Sequence, residues 1–421
     1  MKKRVAKEHI GYVEFFAGIG VTHMALERVG KRLGIDFQAK AISEIDKNAV
    51  KAYGKLHSTS IPNYGDVTKV DFDKMWNEVN GFDLCSWTFP CTNISTAGDQ
   101  SGFEEGEGNA SSLFWELKRM FKTHKPKMLI LENVASILNK RNSGTFNKIV
   151  KFFEDEGYFV KYGIFNAADY GIPQHRERLF MICTLGEEIK FDMPKKKSLK
   201  FKLSDILEKD VEEHYYLKNL KKCFIDKSMS GSYGLRVHNP SHCEVAYTMT
   251  TRAARISENF IFEKDLSKNG TIRINPEGLK KNGITRSDVE STRIRTLTKR
   301  EAMLLTGLSD EDIKKLEDLP KTVIYKLMGN AIVVDALEEF LYEYFKAYLS
   351  QHTKTSTKAA KNSASKKGGH SNGKMQVRQI DTNVFMVVHY DRIGSKGYPR
   401  GKKQNKMNDN TKSREKERIY L

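Results

Sequence analysis

A chain of 421 residues, 39% of them hydrophobic and 10% aromatic, holds enough apolar side chains for two cored domains, which excludes a disordered tether or one small module. Charge is unevenly placed: of a formal +18, residues 351–421 supply most, with 17 Lys and Arg against 5 Asp and Glu. A basic balance suits a polyanionic partner, although solvation alone explains a lysine-rich tail equally well.

Gly11–Phe16 reads as a strand running into Ala17-Gly18-Ile19-Gly20, and Thr22–Val29 as a helix with Met24, Ala25, Leu26 and Val29 on its apolar face. Strand-like runs follow at Gln38–Ile42, Phe82–Trp87, Lys127–Leu131, Phe159–Phe165 and Leu179–Cys183, with helical periods at Leu113–His124 and Lys148–Glu156. Such alternation predicts an α/β, Rossmann-like domain with a mainly parallel sheet covered on both faces. After about Lys195 the pattern breaks. Residues 196–295 are richer in Lys, Asn, Ser and Gly and read as a separate loop-rich domain, followed by helices at Glu301–Leu308, Asp310–Leu316 and Ala331–Tyr348. His352–Gly373 is low-complexity and expected to be disordered, and Asn383–Tyr390 reads as a lone strand within the tail.

No apolar run approaches a membrane span, and no apolar stretch follows the basic start Met1–Ile10 to make a signal peptide. The expected location is the cytoplasm, at the nucleoid if the source is prokaryotic or a phage. The five cysteines, Cys85, Cys91, Cys183, Cys223 and Cys243, are odd in number and form no Cys-x-x-Cys, so neither a disulfide framework nor a zinc site is expected, and no metal.

The turn Phe16-Ala17-Gly18-Ile19-Gly20 lies between a strand and a helix, where glycine permits a tight bend and close approach of a ligand. Glu44 ends the next strand, a place from which a carboxylate accepts hydrogen bonds from ribose hydroxyls; Asp66, after Gly65, is placed to bind an adenine amino group. A dinucleotide fingerprint needs a third glycine, where Val21-Thr22-His23 stands. S-adenosylmethionine carries no pyrophosphate and has no need of it. A plain strand-to-helix turn explains the glycines about as well; Glu44 and Asp66 at the next strand ends favour the ligand.

Phe89-Pro90-Cys91 follows the strand Phe82–Trp87. Further motifs are Ser43-Glu44-Ile45-Asp46, Gly65-Asp66, Ser112-Leu113-Phe114-Trp115-Glu116, Glu132-Asn133-Val134, Gln174-His175-Arg176-Glu177-Arg178, Arg295–Glu301 and Gly329-Asn330-Ala331. In this order, across residues 11 to about 350, they resemble the DNA (cytosine-5)-methyltransferase family of the restriction-modification type. The resemblance implies S-adenosylmethionine as methyl donor, S-adenosylhomocysteine as product, and a cytosine flipped out of duplex DNA as target. It implies Cys91 as the nucleophile at C6, Glu132 at N3, and Arg176 and Arg178 at the cytosine carbonyl or nearby phosphates. It also implies a cofactor pocket of Phe16, Gly18, Gly20, Glu44, Ile45, Asp66, Val67, Pro90, Leu113 and Asn330.

The chemistry requires these residue types. C5 of cytosine is a poor nucleophile until a thiolate adds to C6 and makes the ring an enamine, and cysteine supplies both the nucleophile and the leaving group near neutral pH. A partly buried Glu132 is expected to have a raised pKa and so hold a proton for N3. Cys85 and Cys183, inside strands, read as small buried hydrophobes. Thr92-Asn93-Ile94-Ser95, with Gly98 and Gly102, is expected to form the segment that closes over the base. Thr92 stands where the family often has Gln, and Ala331 where it commonly has a small hydroxyl residue.

The expected organisation is a catalytic domain over 1–193 completed by 322–352, a target-recognition domain over 194–321, and a basic tail over 353–421. Within the recognition region Arg236, His238, Thr248, Thr250, Thr251, Arg252 and Arg255 are suited to base edges and phosphates. The expected partner is double-stranded DNA, met by a monomer, with a cognate restriction endonuclease left open. An RNA or tRNA cytosine-5 methyltransferase of the same fold shares the motifs. A dinucleotide oxidoreductase accounts for the glycine turn alone, and an inactive DNA-binding relative would lack Cys91 or Glu132.

Overall fold

A computed structural model describes residues 8–94, 104–106, 108–218, 235–251 and 258–365, with side chains as far as 353. They belong almost wholly to one compact unit, residues 1–362. The strands are β1 (His9–Phe15), β2 (Asp36–Ser43), β3 (Leu84–Trp87), β4 (Met128–Val134), β5 (Tyr158–Asn166), β6 (Gln174–His175) and β7 (Glu177–Leu185). All but β6 form a six-stranded sheet in the order β2-β1-β3-β4-β7-β5. β1 to β4 pair in parallel, and β7 runs antiparallel to both β4 and β5.

Alternate residues of each central strand enter opposite apolar layers, as a period of two demands. Tyr12, Leu84, Met128, Ile130 and Ile182 face one layer. Val13, Phe15, Cys85, Trp87, Leu129 and Leu131 face the other. Both faces are therefore covered, which is why these strands read as unbroken hydrophobic runs. Helices α1 (Val21–Leu33), α2 (Lys47–Leu56), α3 (Phe72–Glu78), α4 (Leu117–Phe121) and α5 (Ser143–Asp155) supply the cover. Asp46 starts α2 by accepting from the amides of Asn48 and Ala49.

A second, four-stranded sheet contains β8 (Leu235–His238), β10 (Phe260–Phe262), β11 (Thr271–Ile274) and β12 (Ile294–Arg295), in the order β11-β8-β10-β12. Leu235, Val237, Phe260, Phe262, Ile272 and Val289 form its own apolar cluster. The short β9 (Ala246–Tyr247) pairs in parallel with β6. The helices Lys299–Leu304 and Asp310–Leu316 place Met303, Ile313 and Leu316 in the main core.

Several elements differ from expectation. Glu132 and Asn133 lie inside β4 rather than beyond its end, because pairing with β7 continues to Val134. Leu113–His124 begins as a 3-10 helix, Ala110–Glu116, before α4. Ala331–Tyr348 is helical only from Val334: Lys321–Asn330 and Val334–Ser365 are two helices, divided by an extended Ala331 with ψ 150°. The second of these corrects the reading of the tail from His352 on: helical backbone continues to Ser365. Once Phe340, Tyr344 and Phe345 have packed into the core, each further residue adds a hydrogen bond without a nucleation cost, and Ala359 and Ala360 favour it. Asn383–Tyr390 lies outside the described residues.

Candidate active site

Because β1 to β4 are parallel, their carboxyl ends share one edge of the sheet. The chain crosses from β2 over β1 to β3, so the turns after β1 and β3 flank the point where strand order reverses, the usual ligand crevice of such sheets. Phe16–Gly20 leaves β1 there, Glu44 and Ile45 leave β2, and Thr88–Cys91 leaves β3. The antiparallel β7 begins at the same edge and brings Arg178.

The glycine turn is tightly built. Gly20 has φ 80°, and a Cβ on it would lie 2.3 Å from His57 Nε2, so no other residue fits. Phe16 also has a positive φ, 57°, held while its ring meets Trp87 edge-on at 5.5 Å. The amide of Gly18 donates to Glu44 Oε2 at 2.8 Å and that of Asp46 to Oε1 at 2.7 Å, which fixes the carboxylate against the turn. Ile45 beside it is 72% exposed. Phe16, Leu113 and Cys91 pack against the same apolar layer. Asn330 is exposed at the end of its helix, and Lys326 of that helix reaches Asp46 at 2.6 Å. Asp66 spends Oδ1 on the amide and hydroxyl of Thr68, which lowers its pKa. Val67 is buried in the core, so only its backbone can face a ligand.

Beneath the turn is a polar group that sequence reading missed. Tyr53 donates to Glu14 Oε1 at 2.7 Å, the His23 amide donates to Oε2 at 3.2 Å, and His23 stacks on His57 at 4.0 Å. Burial pushes the Glu14 carboxyl up to about 7 and, helped by His57, the His23 ring down to about 3. The available signal was a glutamate in the middle of the apolar run of β1.

Cys91 is half-buried and free. Burial raises its thiol pKa, Arg178 and Arg176 oppose this, and Glu132 reinforces it, so the four groups share one electrostatic neighbourhood. Glu132 sits opposite Phe180, with Arg178 two residues along β7 on the same face. Arg178 Nε meets Glu132 Oε1 at 3.0 Å. Burial raises the Glu132 pKa, as the sequence led us to expect, against the lowering effect of both arginines. Arg176 is 2% exposed and is placed differently from its expected role: Nη1 donates to Met249 O at 2.7 Å and Nη2 to Gly329 O at 2.8 Å. It ties the segment after β9 to the end of the helix Lys321–Asn330. Cys85 and Cys183 are fully buried, as read from the sequence.

The loop around Cys91 is fastened residue by residue. Thr88 Oγ1 donates to Phe16 O at 3.0 Å, Asn133 Nδ2 to Phe89 O at 3.2 Å, Ser111 Oγ to Pro90 O at 2.8 Å, and Ser136 Oγ to Ile94 O at 3.0 Å. Asn93 and Ile94, expected to belong to a closing segment, are 7% and 1% exposed and sit in the fixed base of the loop. Ser95, Gly98 and Gly102 lie outside the described residues.

Of the residues read as DNA-facing, Arg236 pairs with Glu258 at 2.6 Å and lies 4.1 Å from the Tyr247 ring centre. His238 is corrected: it is fully buried between Thr271 Oγ1 and Asn259 Oδ1, at 2.8 and 3.1 Å, and cannot reach a base. Thr248 donates to His175 O at 2.5 Å. Thr250 and Thr251 lie against Gly329, where an added Cβ would come within 2.3 Å of their backbone. Arg252 and Arg255 are outside the described residues. Among the described residues no group of three His, Cys, Asp or Glu could hold a metal ion, and no helix is long and apolar enough to cross a membrane.

This sheet, with its glycine turn and the loop after β3 at one edge, is that of an α/β methyltransferase. The match is borne out by Entamoeba histolytica methyltransferase EhMeth (TM-score 0.65, 17% identity, 81% of this chain and 99% of that one) and by S. pombe Dnmt2 methyltransferase (0.60, 16%, 80% and 99%). A family model for the C-5 cytosine-specific DNA methylase matches residues 10–346, and the chain belongs to that family. Relatives include the type II methyltransferase M2.ScrFI of Lactococcus lactis subsp. cremoris, 34% identical over 68% of this chain and 71% of that one. Another is the orphan methyltransferase M.SPRI of Bacillus phage SPR, 25% identical over 81% and 98%.

Proposed function

We propose that the chain transfers a methyl group from S-adenosylmethionine to C5 of a cytosine everted from duplex DNA, through a covalent bond between Cys91 and C6. The observation that carries this reading is the Glu132–Arg178 pair, 3.0 Å apart, in the electrostatic neighbourhood of the Cys91 thiol at the sheet edge that bears the glycine turn. The residues present fit the cofactor: Glu44 is held with its carboxylate fixed for ribose hydroxyls, and the exposed Ile45 offers an apolar face to an adenine ring. When bound, the cofactor supplies an electrophilic methyl on its sulfonium.

The chain's own residues do the rest. Arg178 and Arg176 favour the Cys91 thiolate against its burial, and the thiolate attacks C6. Glu132, its pKa raised by burial, keeps a proton for cytosine N3, and Arg178 fixes its orientation. Once the methyl is on C5, water takes the C5 proton, the electrons of that C–H bond re-form the C5–C6 double bond and expel the Cys91 thiolate, and N3 returns its proton to Glu132. Eversion is required because the target atom is hidden in the duplex. The region 194–321, with the second sheet, Arg236, Thr250 and Thr251, is assigned to target recognition, with Arg252 and Arg255 assigned from sequence. The description of the matching family, C-5 cytosine-specific DNA methylase, supports DNA as the substrate.

The test is transfer of a labelled methyl group from S-adenosylmethionine to duplex DNA and to tRNA. Wild-type protein should label duplex DNA, and Cys91→Ser should lose turnover while keeping cofactor affinity. Labelling confined to tRNA, or full activity in Cys91→Ser, refutes the proposal.

A further inference from the structure

Ser111 is fully buried, yet its hydroxyl has two partners on either side of the candidate nucleophile. Oγ donates to the carbonyl of Pro90 at 2.8 Å and accepts from the amide of Asn93 at 3.1 Å. The Asn93 side chain answers in kind, its Oδ1 accepting from the Ser111 amide at 3.2 Å. Three hydrogen bonds thus bracket Cys91 and Thr92. Ser111 and Leu113 belong to one 3-10 helix, Ala110–Glu116, and Leu113 packs against the same apolar layer as Cys91.

We infer that Ser111 and Asn93 form a reciprocal clamp that positions the Cys91 sulfur for attack, and that it ties this sulfur to the wall of the methyl-donor pocket. The inference rests on Cys91 being the nucleophile. Serine's hydroxyl alone can bond both flanks, since one proton goes to Pro90 O and a lone pair takes the Asn93 N–H. Neither residue touches substrate; both act through the loop. Their removal takes these partners from the Pro90 carbonyl and from the amides of Asn93 and Ser111, and the loop relaxes until water reaches them. A displacement of about 1 Å at a reacting atom costs up to about 100-fold in rate.

The experiment uses full-length Ser111→Ala, Asn93→Ala, the double variant and Cys91→Ser, all held well below their melting temperatures. Single-turnover methyl transfer into duplex DNA, KM for cofactor and DNA, and iodoacetamide alkylation of Cys91 against pH are measured. Ser111→Ala should lower the transfer rate by about 30- to 100-fold with both KM values within about twofold of wild type. Its Cys91 alkylation curve should move to lower pH, because a loosened loop hydrates the thiol. Asn93→Ala, which keeps the Ser111–Pro90 bond, should show a smaller change of the same kind and serves if Ser111→Ala does not fold. The double variant should be little worse than Ser111→Ala, since the bonds form one unit. Wild-type rates and unshifted alkylation in both single variants, with only the melting temperature lowered, overturn the clamp. Failure of the underlying reading is separate, since it appears as undiminished turnover in Cys91→Ser.

Discussion

Glu132 and Arg178 meet because β4 and β7 run antiparallel and place them on one face. Their residue types, and that of Cys91, were legible in the sequence because each is a chemically unusual side chain where an apolar run stops. Arg176 was legible as a motif but not in its placement, since its partners are the carbonyls of Met249 and Gly329, which leave no trace in a sequence. The same holds for Ser111, whose bonds go to backbone. Glu14 yields a prediction at this scale. Its folded pKa, about 7 against an ordinary 4.5, means that the folded protein keeps a proton which the unfolded chain has lost. This group's contribution is fully present below pH 4.5 and is lost as pH rises to about 7, at about 1.4 kcal/mol per unit. His23, drawn down from 6.5 to about 3, works in the opposite sense across that range. Glu14→Gln removes only the first effect. Its stability relative to wild type should therefore rise by about 2–3 kcal/mol between pH 5 and 7.5 in urea titrations, and a constant difference would sink this account.

Among the elements, the strands of the six-stranded sheet were legible, because β1, β3 and β4 are buried on both faces and announce themselves as continuous hydrophobic runs, whereas the short β6 and β8 to β12 went unread. α2 and α3 went unread, and their starts are set by Asp46 and Asp71 side chains capping short helices. The break at Ala331 was also invisible, since no Pro or Gly follows Asn330. What fixes that corner is close packing. Gly329 lies so near Thr250 and Thr251 that an added Cβ would sit 2.3 Å from backbone atoms that cannot swing aside. Gly329→Ala should therefore cost about 1–3 kcal/mol of stability and lower methyl transfer by displacing Asn330 and the Thr250–Thr251 segment. Urea midpoints matching wild type would show that the corner yields freely.

For the whole molecule, the alternation of strand-like and helix-like runs pointed to an α/β domain and the charge to a basic end, and the observed sheet carries the first of these. The second invites a measurement. Removing residues 366–421, beyond the helix that ends at Ser365, takes away half of the basic excess. If the tail binds phosphates, log affinity for DNA plotted against log salt should become shallower by about 0.9 for each phosphate that the truncated protein no longer neutralises, with sequence choice unchanged. An identical slope would leave the tail merely solvated. The packing of Val334–Ser365 against the opening strands has a further consequence. Phe345 of this helix meets Phe37 of β2 at 4.9 Å, and Phe340 lies 6.0 Å from Phe180. During translation at about 5–20 residues per second, the apolar side of β1 and β2 emerges from the ribosome roughly 15–60 s before the residues that cover it. Premature termination before Val334 should thus release a polypeptide with a large adhesive surface, a client for chaperones and proteases rather than a smaller enzyme.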